Sequence, residues 1–125
     1  MYTHNYDSSY DPAMPVAEIE IANIENETKT VKLTGLVDSG SDTTLIPKRY
    51  LRALGIKRVR KAQIRGVSGF AYTVDMYMLQ LKIGPYQLYG IRVAGDKKQI
   101  IIGRNVLNQL VVTLNGLAEV TEVSN

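Results

Sequence analysis

From Val16 onward the chain is written in short runs that alternate apolar and polar residues. This period of two constrains the fold more than any other feature. "VAEIEIANI", Val16 to Ile24, places apolar side chains at alternate positions, the pattern of a strand with one face buried and one in water. Glu25 to Thr28 is polar enough to turn the chain, and "TVKLTGLVD" returns it. The end of that return differs, because Leu36 and Val37 are apolar in succession, which demands burial on both faces. "QIIIG", Gln99 to Gly103, is a second doubly apolar run ending at a turn residue.

Further strands follow the same logic. "KAQIRGVSGFAYTVDMYMLQLKIG" reads as two strands whose bend lies near "RGVSGFA", where Gly66 and Gly69 leave the backbone to shape the loop. "YQLYGIRVAG" is another strand, and "VVTLNGLAEVTEV" is a hairpin with Asn115-Gly116 at its turn. Helical signals are few. Pro47 opens "PKRYLRALG", Gly55 closes it, and Leu51 and Leu54 give it a buried side. A second short helix follows Gly103. The chain therefore reads as all-β, a small barrel or sandwich with one or two short helices. Residues 1–15 are polar and turn-rich and read as a flexible N-terminal tail or leader, leaving 16–125 as the folded domain.

Composition narrows the chemistry. The chain has 125 residues, no cysteine and one histidine, His4. Disulfides, thiolate metal sites and a cysteine nucleophile are excluded. A serine–histidine–aspartate triad needs a histidine on a rigid element, and His4 lies in the polar leader. No metal site is expected. What remains is mainly carboxylate, lysine, tyrosine and hydroxyl chemistry. No apolar run is long enough to span a bilayer, so the expected compartment is the cytoplasm, without a membrane partner. The net charge is +3, and the excess is local: eight Lys and Arg residues lie between Lys48 and Arg65 with no acid among them. No aromatic stacking platform interleaves these charges, so a solvated face is favoured over a nucleic-acid site.

Against that background "LVDSGSDTTLIP", Leu36 to Pro47, stands out. Asp38 follows a doubly buried run directly, Ser39 supplies a hydroxyl, and Gly40 lets the backbone approach a carboxylate oxygen. One reading is an Asx-type turn that only caps its own loop. The other is a carboxylate held ready for chemistry. Arg104 stands at the start of a helix, where a cation is poorly placed in the helix dipole, so it is expected to have a carboxylate partner, with Asp42 the candidate.

Together, "LVDSGSDTTLIP", the glycine-containing "RGVSGFA" and "IIIGRNVLNQL" resemble, in order and spacing, the retropepsin-like aspartic proteases. These are the retroviral-type half of the pepsin clan, and the pattern is most similar to bacterial and retroelement-like members. The resemblance spans about residues 16 to 120. It implies a small closed barrel of short strands with a flap hairpin, working as a homodimer. Family members build the site from two Asp-Ser/Thr-Gly loops, and this chain has one, since Asp75 and Asp96 lack the following pattern.

The implied function is aspartic endopeptidase. A water would be activated between two Asp38 carboxylates, one from each subunit, without a cofactor, and the substrate would be an extended peptide or protein. The resemblance gives Ser39, Gly40, Ser41, Asp42 and Arg104 a supporting role around Asp38, with Asp42 paired to Arg104. Gly66, Val67, Ser68, Gly69, Phe70 and Ala71 would form the substrate-binding flap. The competing expectation is a retropepsin-like peptide-binding or dimerisation module with little proteolysis. Three features depart from the shortest viral members. The flap tip is less glycine-rich, a helix follows the Asp38 loop, and residues 1–15 are not suited to interleaved terminal strands.

Overall fold

The computed structural model describes residues 1–66 and 68–125. The alternating runs form the strands they predict. Strand β2 (Val16–Asn23) buries Val16, Ala17, Ile19, Ile21 and Ala22 and exposes Glu18. It pairs antiparallel with β3 (Asn26–Val37). Strand β4 (Thr44–Pro47) leads into helix α1 (Lys48–Ala53). Strands β5 (Arg58–Arg65) and β6 (Ala71–Ile83) form a long antiparallel hairpin, and β7 (Tyr86–Asp96) pairs with the other edge of β6.

The two doubly apolar runs meet. Strand β8 (Ile101–Ile102) inserts between β3 and β4, parallel to β3 with Leu36 opposite Ile101 and Val37 opposite Ile102. It is antiparallel to β4 through Leu45 and Ile101. The sheet order is β2-β3-β8-β4-β7-β6-β5, and β2 also pairs with β6. That last pairing closes six strands into a ring, and β5 extends from β6 as the outer arm of the hairpin. The ring is filled by apolar side chains, among them Ile19, Ile21, Ile46, Leu79, Leu81 and Ile102, each fully buried. The fold is the expected all-β closed barrel with a projecting hairpin and two short helices. No helix among the described residues is long and apolar enough to cross a membrane.

Helix α1 ends where Gly55 predicts. Leu54 is its C-cap, Gly55 follows at φ +68°, and Ile56 lies beyond. Gly55 N–H donates to Arg52 O at 2.9 Å, and Ile56 N–H donates to Leu51 O at 2.9 Å. This is a Schellman closure, and buried Leu51 and Ile56 supply its apolar contact. Helix α2 (Arg104–Leu107) follows Gly103 and leads to the hairpin of β9 (Val111–Asn115) and β10 (Val120–Ser124). The hairpin is there, but not as a two-residue Asn-Gly turn. Asn115 pairs with Val120, four residues form the loop, and the positive φ falls on Glu119 at 54°. The Asn115 side chain accepts from Ala118 N–H at 3.1 Å, and this stabilises the wider loop.

The amino-terminal segment also differs from its sequence reading. Residues Tyr2–Asn5 form strand β1, antiparallel to β10, so a three-stranded sheet β1-β10-β9 joins the two ends of the chain. Tyr2 anchors it. Its hydroxyl accepts from Glu18 N–H at 3.0 Å, and its Cβ lies where a side chain on Gly84 would have to sit. Burial pushes the Tyr2 phenol above its ordinary pKa. The segment "YTHN" carries little apolar signal, and its partner strand stands at the far end of the sequence, so local pattern did not reveal it.

Candidate active site

Asp38 is the first residue beyond β3, and it is still held to the sheet. Its N–H donates to Ile102 O at 3.1 Å, and Val37 N–H donates to Pro15 O at 3.0 Å. The side chain is half-buried. Gly40 N–H donates to Asp38 Oδ1 at 2.9 Å, and Ser41 N–H donates to Asp38 O at 3.2 Å. A Cβ at position 40 would lie 3.1 Å from Asp38 Oδ1, tighter than ordinary contact, so glycine lets the amide approach the carboxylate. Oδ2 has no hydrogen-bond partner among the described residues. One oxygen is thus oriented by the backbone, and the other meets no donor from the described residues.

The loop from Asp38 to Thr43 is braced from the β8–α2 junction. Arg104 N–H donates to Ser41 O at 2.8 Å, and the Arg104 guanidinium donates to Ser39 O at 2.7 Å. Ser41 Oγ donates to Thr43 O at 2.6 Å. Gly103 packs so closely that a Cβ there would lie 2.5 Å from Thr43 O and 2.9 Å from Ser41 O. This is the physical reason for glycine in "IIIGRN". Two residues that the sequence reading did not assign complete the brace. Thr44, fully buried, donates from Oγ1 to Asn105 Oδ1 at 2.7 Å and accepts from Gly103 N–H at 3.0 Å. Asn105 Nδ2 reaches on to Arg92 O at 2.7 Å. The available signal was Thr44, the last of the stretch's hydroxyl residues, directly beside the apolar Leu45 and Ile46.

The expected Asp42–Arg104 ion pair is not formed. Arg104 spends its guanidinium on the Ser39 carbonyl, while exposed Asp42 accepts from the Thr43 hydroxyl at 3.0 Å. A backbone carbonyl fixed in the loop satisfies the arginine without confining a second flexible side chain. Among the described residues the ion pairs both involve Asp75: Lys48 Nζ at 2.9 Å and Arg58 Nη1 at 3.4 Å. The hydrogen bond from Lys48, ahead of the Arg58 contribution, holds the Asp75 carboxyl below its usual range.

The β5–β6 hairpin has two different faces. Ala62 and Ile64 pack with Val74 and Met76, and with Leu45 and Ala94, in a small apolar cluster apart from the main core. Leu45 belongs to β4, the strand that leaves the Asp38 loop, so this face continues the loop's surroundings. Cross-strand partners share a face, and Lys61 opposite Asp75 and Gln63 opposite Thr73 lie on the other one. At the tip, Arg65 is paired with Ala71, and Gly66 N–H donates to Phe70 O at 3.1 Å. Gly69 has φ +84°, its N–H donates to Gly66 O, and its carbonyl accepts from Arg65 at 2.8 Å. Phe70 is 78% exposed, and Ser68 and Gly69 are exposed beside it. The expected flap residue Val67 lies outside the described residues. An exposed aromatic on a glycine-containing hairpin tip is suited to covering an extended chain laid on the apolar face.

A family model described as "gag-polyprotein putative aspartyl protease" matches residues 22–109, a span that includes the Asp38 loop, the hairpin and Gly103-Arg104. No curated protein matches the chain. Among solved structures, the EIAV protease complexed with the inhibitor HBY-793 is similar at a TM-score of 0.56 and 26% identity, over 77% of this chain and 86% of that one. A foamy viral protease-reverse transcriptase, in complex with an RNA/DNA hybrid, matches at 0.54 and 19%, over 76% of this chain and 12% of that one. A retropepsin-like aspartic protease from Rickettsia conorii matches at 0.51 and 16%, over 90% and 96%. At their low identities the last two establish the fold alone.

Proposed function

The chain belongs to the gag-polyprotein aspartyl protease family, and from that premise we propose that it is an aspartic endopeptidase whose active site is completed by a second copy of itself. Residues 16–125 form the proposed catalytic domain. The observation that carries the reading is the Asp38 loop. It offers one half-buried carboxylate, oriented by Gly40 N–H on Oδ1, and the chain contains one such loop. A two-fold axis brings the same residue of two copies face to face.

In the proposed site two Asp38 carboxylates share one proton, the general behaviour of aspartic-protease pairs. The ionised member takes a proton from a water held between them as that water attacks the peptide carbonyl. The protonated member gives its proton to the carbonyl oxygen. As the tetrahedral diol collapses, the member that took the water's proton passes it to the departing amine, and the other regains a proton from a diol hydroxyl. Both protonation steps belong to the pair and not to one subunit. Ser39, Gly40, Ser41, Gly103 and Arg104 position the loop, and Asp42 borders it. The hairpin tip, with Ser68, Gly69 and Phe70, closes over an extended peptide bound through its backbone.

The test is cleavage of a peptide library by the full chain and by Asp38→Asn and Asp38→Ala. Activity should fall by at least about 100-fold while circular dichroism stays unchanged. Cleavage that survives either substitution overturns the proposal. No cleavage by the unaltered chain between about pH 3 and pH 8, together with saturable peptide binding, would replace the enzyme with a binding module.

A further inference from the structure

A cleft of about 880 Å³ opens between α1, the β5–β6 hairpin and the turn after β7, and its hairpin lining includes Lys61, Thr73 and Asp75 together with Tyr72 and Val74. None of its lining residues belongs to the Asp38 loop. Five cations line it: Lys48, Arg49 and Arg52 from α1, Lys61 from β5, and Lys97 from the turn. The opposing carboxylates are Asp75 and Asp96; Asp75 is neutralised by ion pairs, whereas Asp96 keeps its charge, so the lining carries three more cations than carboxylates. Asp75 is held by Lys48 and Arg58. Asp96 closes its own turn by accepting from Lys98 N–H at 3.1 Å and Gln99 N–H at 2.8 Å. Arg49 lies over Tyr50, 4.5 Å from the ring centre, and donates to the Tyr50 hydroxyl at 3.1 Å. Three exposed cations remain, Arg52, Lys61 and Lys97, whose charged groups have no partner among the described residues.

Concave walls concentrate the field of such charges. The volume suits one compact ligand or a few residues of a chain. A single-stranded nucleic acid would need aromatic faces for its bases, and Tyr72 is the one aromatic lining residue. The observations therefore favour carboxylates carried on a polypeptide. We propose that this cleft is a docking site for a short aspartate- or glutamate-rich segment of the protein substrate, outside the groove where cleavage occurs. Only the word substrate rests on the peptidase reading; the docking itself does not. Such a site holds ground state and transition state alike, so it lowers KM and leaves kcat unchanged.

The experiment measures binding of a fluorescein-labelled hexaglutamate peptide to the full chain by anisotropy, with a polyserine peptide and an oligothymidylate as probes of other chemistry. The triple variant Arg52→Ala, Lys61→Ala, Lys97→Ala removes the unpaired cations. A control triple, Lys32→Ala, Lys57→Ala, Lys82→Ala, removes the same charge from residues that do not line the cleft. Hexaglutamate affinity should fall about tenfold in the first triple, hold in the second, and weaken as salt is raised. No hexaglutamate binding, equal losses in both triples, or tighter binding of oligothymidylate would each overturn the proposal. A kinetic arm separates the two readings. A cleavable peptide with an acidic extension should show a KM raised about tenfold by the first triple, with kcat held. If hexaglutamate docks as expected but no peptide is cut, the peptidase reading fails and the docking site stands.

Discussion

Gly103 shows how a missing side chain can position a carboxylate. Its Cα sits against the loop that carries Asp38, with Thr43 O and Ser41 O both inside the space of a Cβ. Its N–H is satisfied by Thr44 Oγ1, which in turn is fixed by Asn105. Gly103→Ala must push the loop away, at a cost of about 1–3 kcal/mol, and on the proposed peptidase reading it should lower cleavage by more than the lost stability accounts for. Thr44→Val keeps the volume and removes both hydrogen bonds, leaving a buried N–H unpaired, and should cost about 1–3 kcal/mol. Urea denaturation measures both, and a Thr44→Val variant as stable as the parent would remove this brace from the account. The residue types of the loop were legible in the sequence, but their partners were not. Charge suggested Asp42 for Arg104, whereas the structure gives the guanidinium the Ser39 carbonyl. Every residue offers a carbonyl, so sequence carries no mark of the one an arginine will find.

At the scale of elements, alternation revealed β2, β3, β5, β6 and β7, and Gly55 revealed the end of α1, because each rests on a local period or a local cap. Consecutive apolar residues told that β8 is buried on both faces, yet not that it lies between β3 and β4, some sixty residues earlier in the chain. Strand β1 escaped for the same reason, since its partner is β10. The tie between α1 and the hairpin was equally invisible. Lys48 on α1 and Arg58 on β5 both hold Asp75 on β6. These pairs depress the Asp75 pKa below its ordinary 3.8. A group whose folded pKa is depressed adds stability above its unfolded pKa and loses it as pH falls through the folded value. Asp75→Asn should therefore be less stable than the parent near neutral pH. The two stability curves should converge as the pH falls below the ordinary carboxylate range. Thermal melts across that range measure the difference. A gap that stays constant into acid would mean that the ion pair is not what α1 and the hairpin share.

At the scale of the whole molecule, a closed barrel with one Asp38 loop supplies half of the proposed site. If each site takes one carboxylate from each of two copies, activity belongs to the pair, and an inactive partner spoils an active chain. Mixing the parent with Asp38→Asn at fixed total concentration, after the chains have exchanged, tests this directly. Equal amounts give about a quarter parental dimers, so activity should fall to about a quarter of the unmixed value. Chains that act alone would leave about half, and activity would then follow the parental fraction linearly. Dilution supplies a second reading of the same premise: activity per chain should decline once the concentration drops below that needed to hold the pair together. The cleft of α1 adds a distinction within the same experiment. The triple variant Arg52→Ala, Lys61→Ala, Lys97→Ala keeps its own Asp38, so mixing it with the parent should leave kcat at the parental value for every ratio. Only the KM for an acid-tailed peptide should move. A mixing curve for that variant that bends like the Asp38→Asn curve would place the cleft within the machinery that joins the copies, and not beside it.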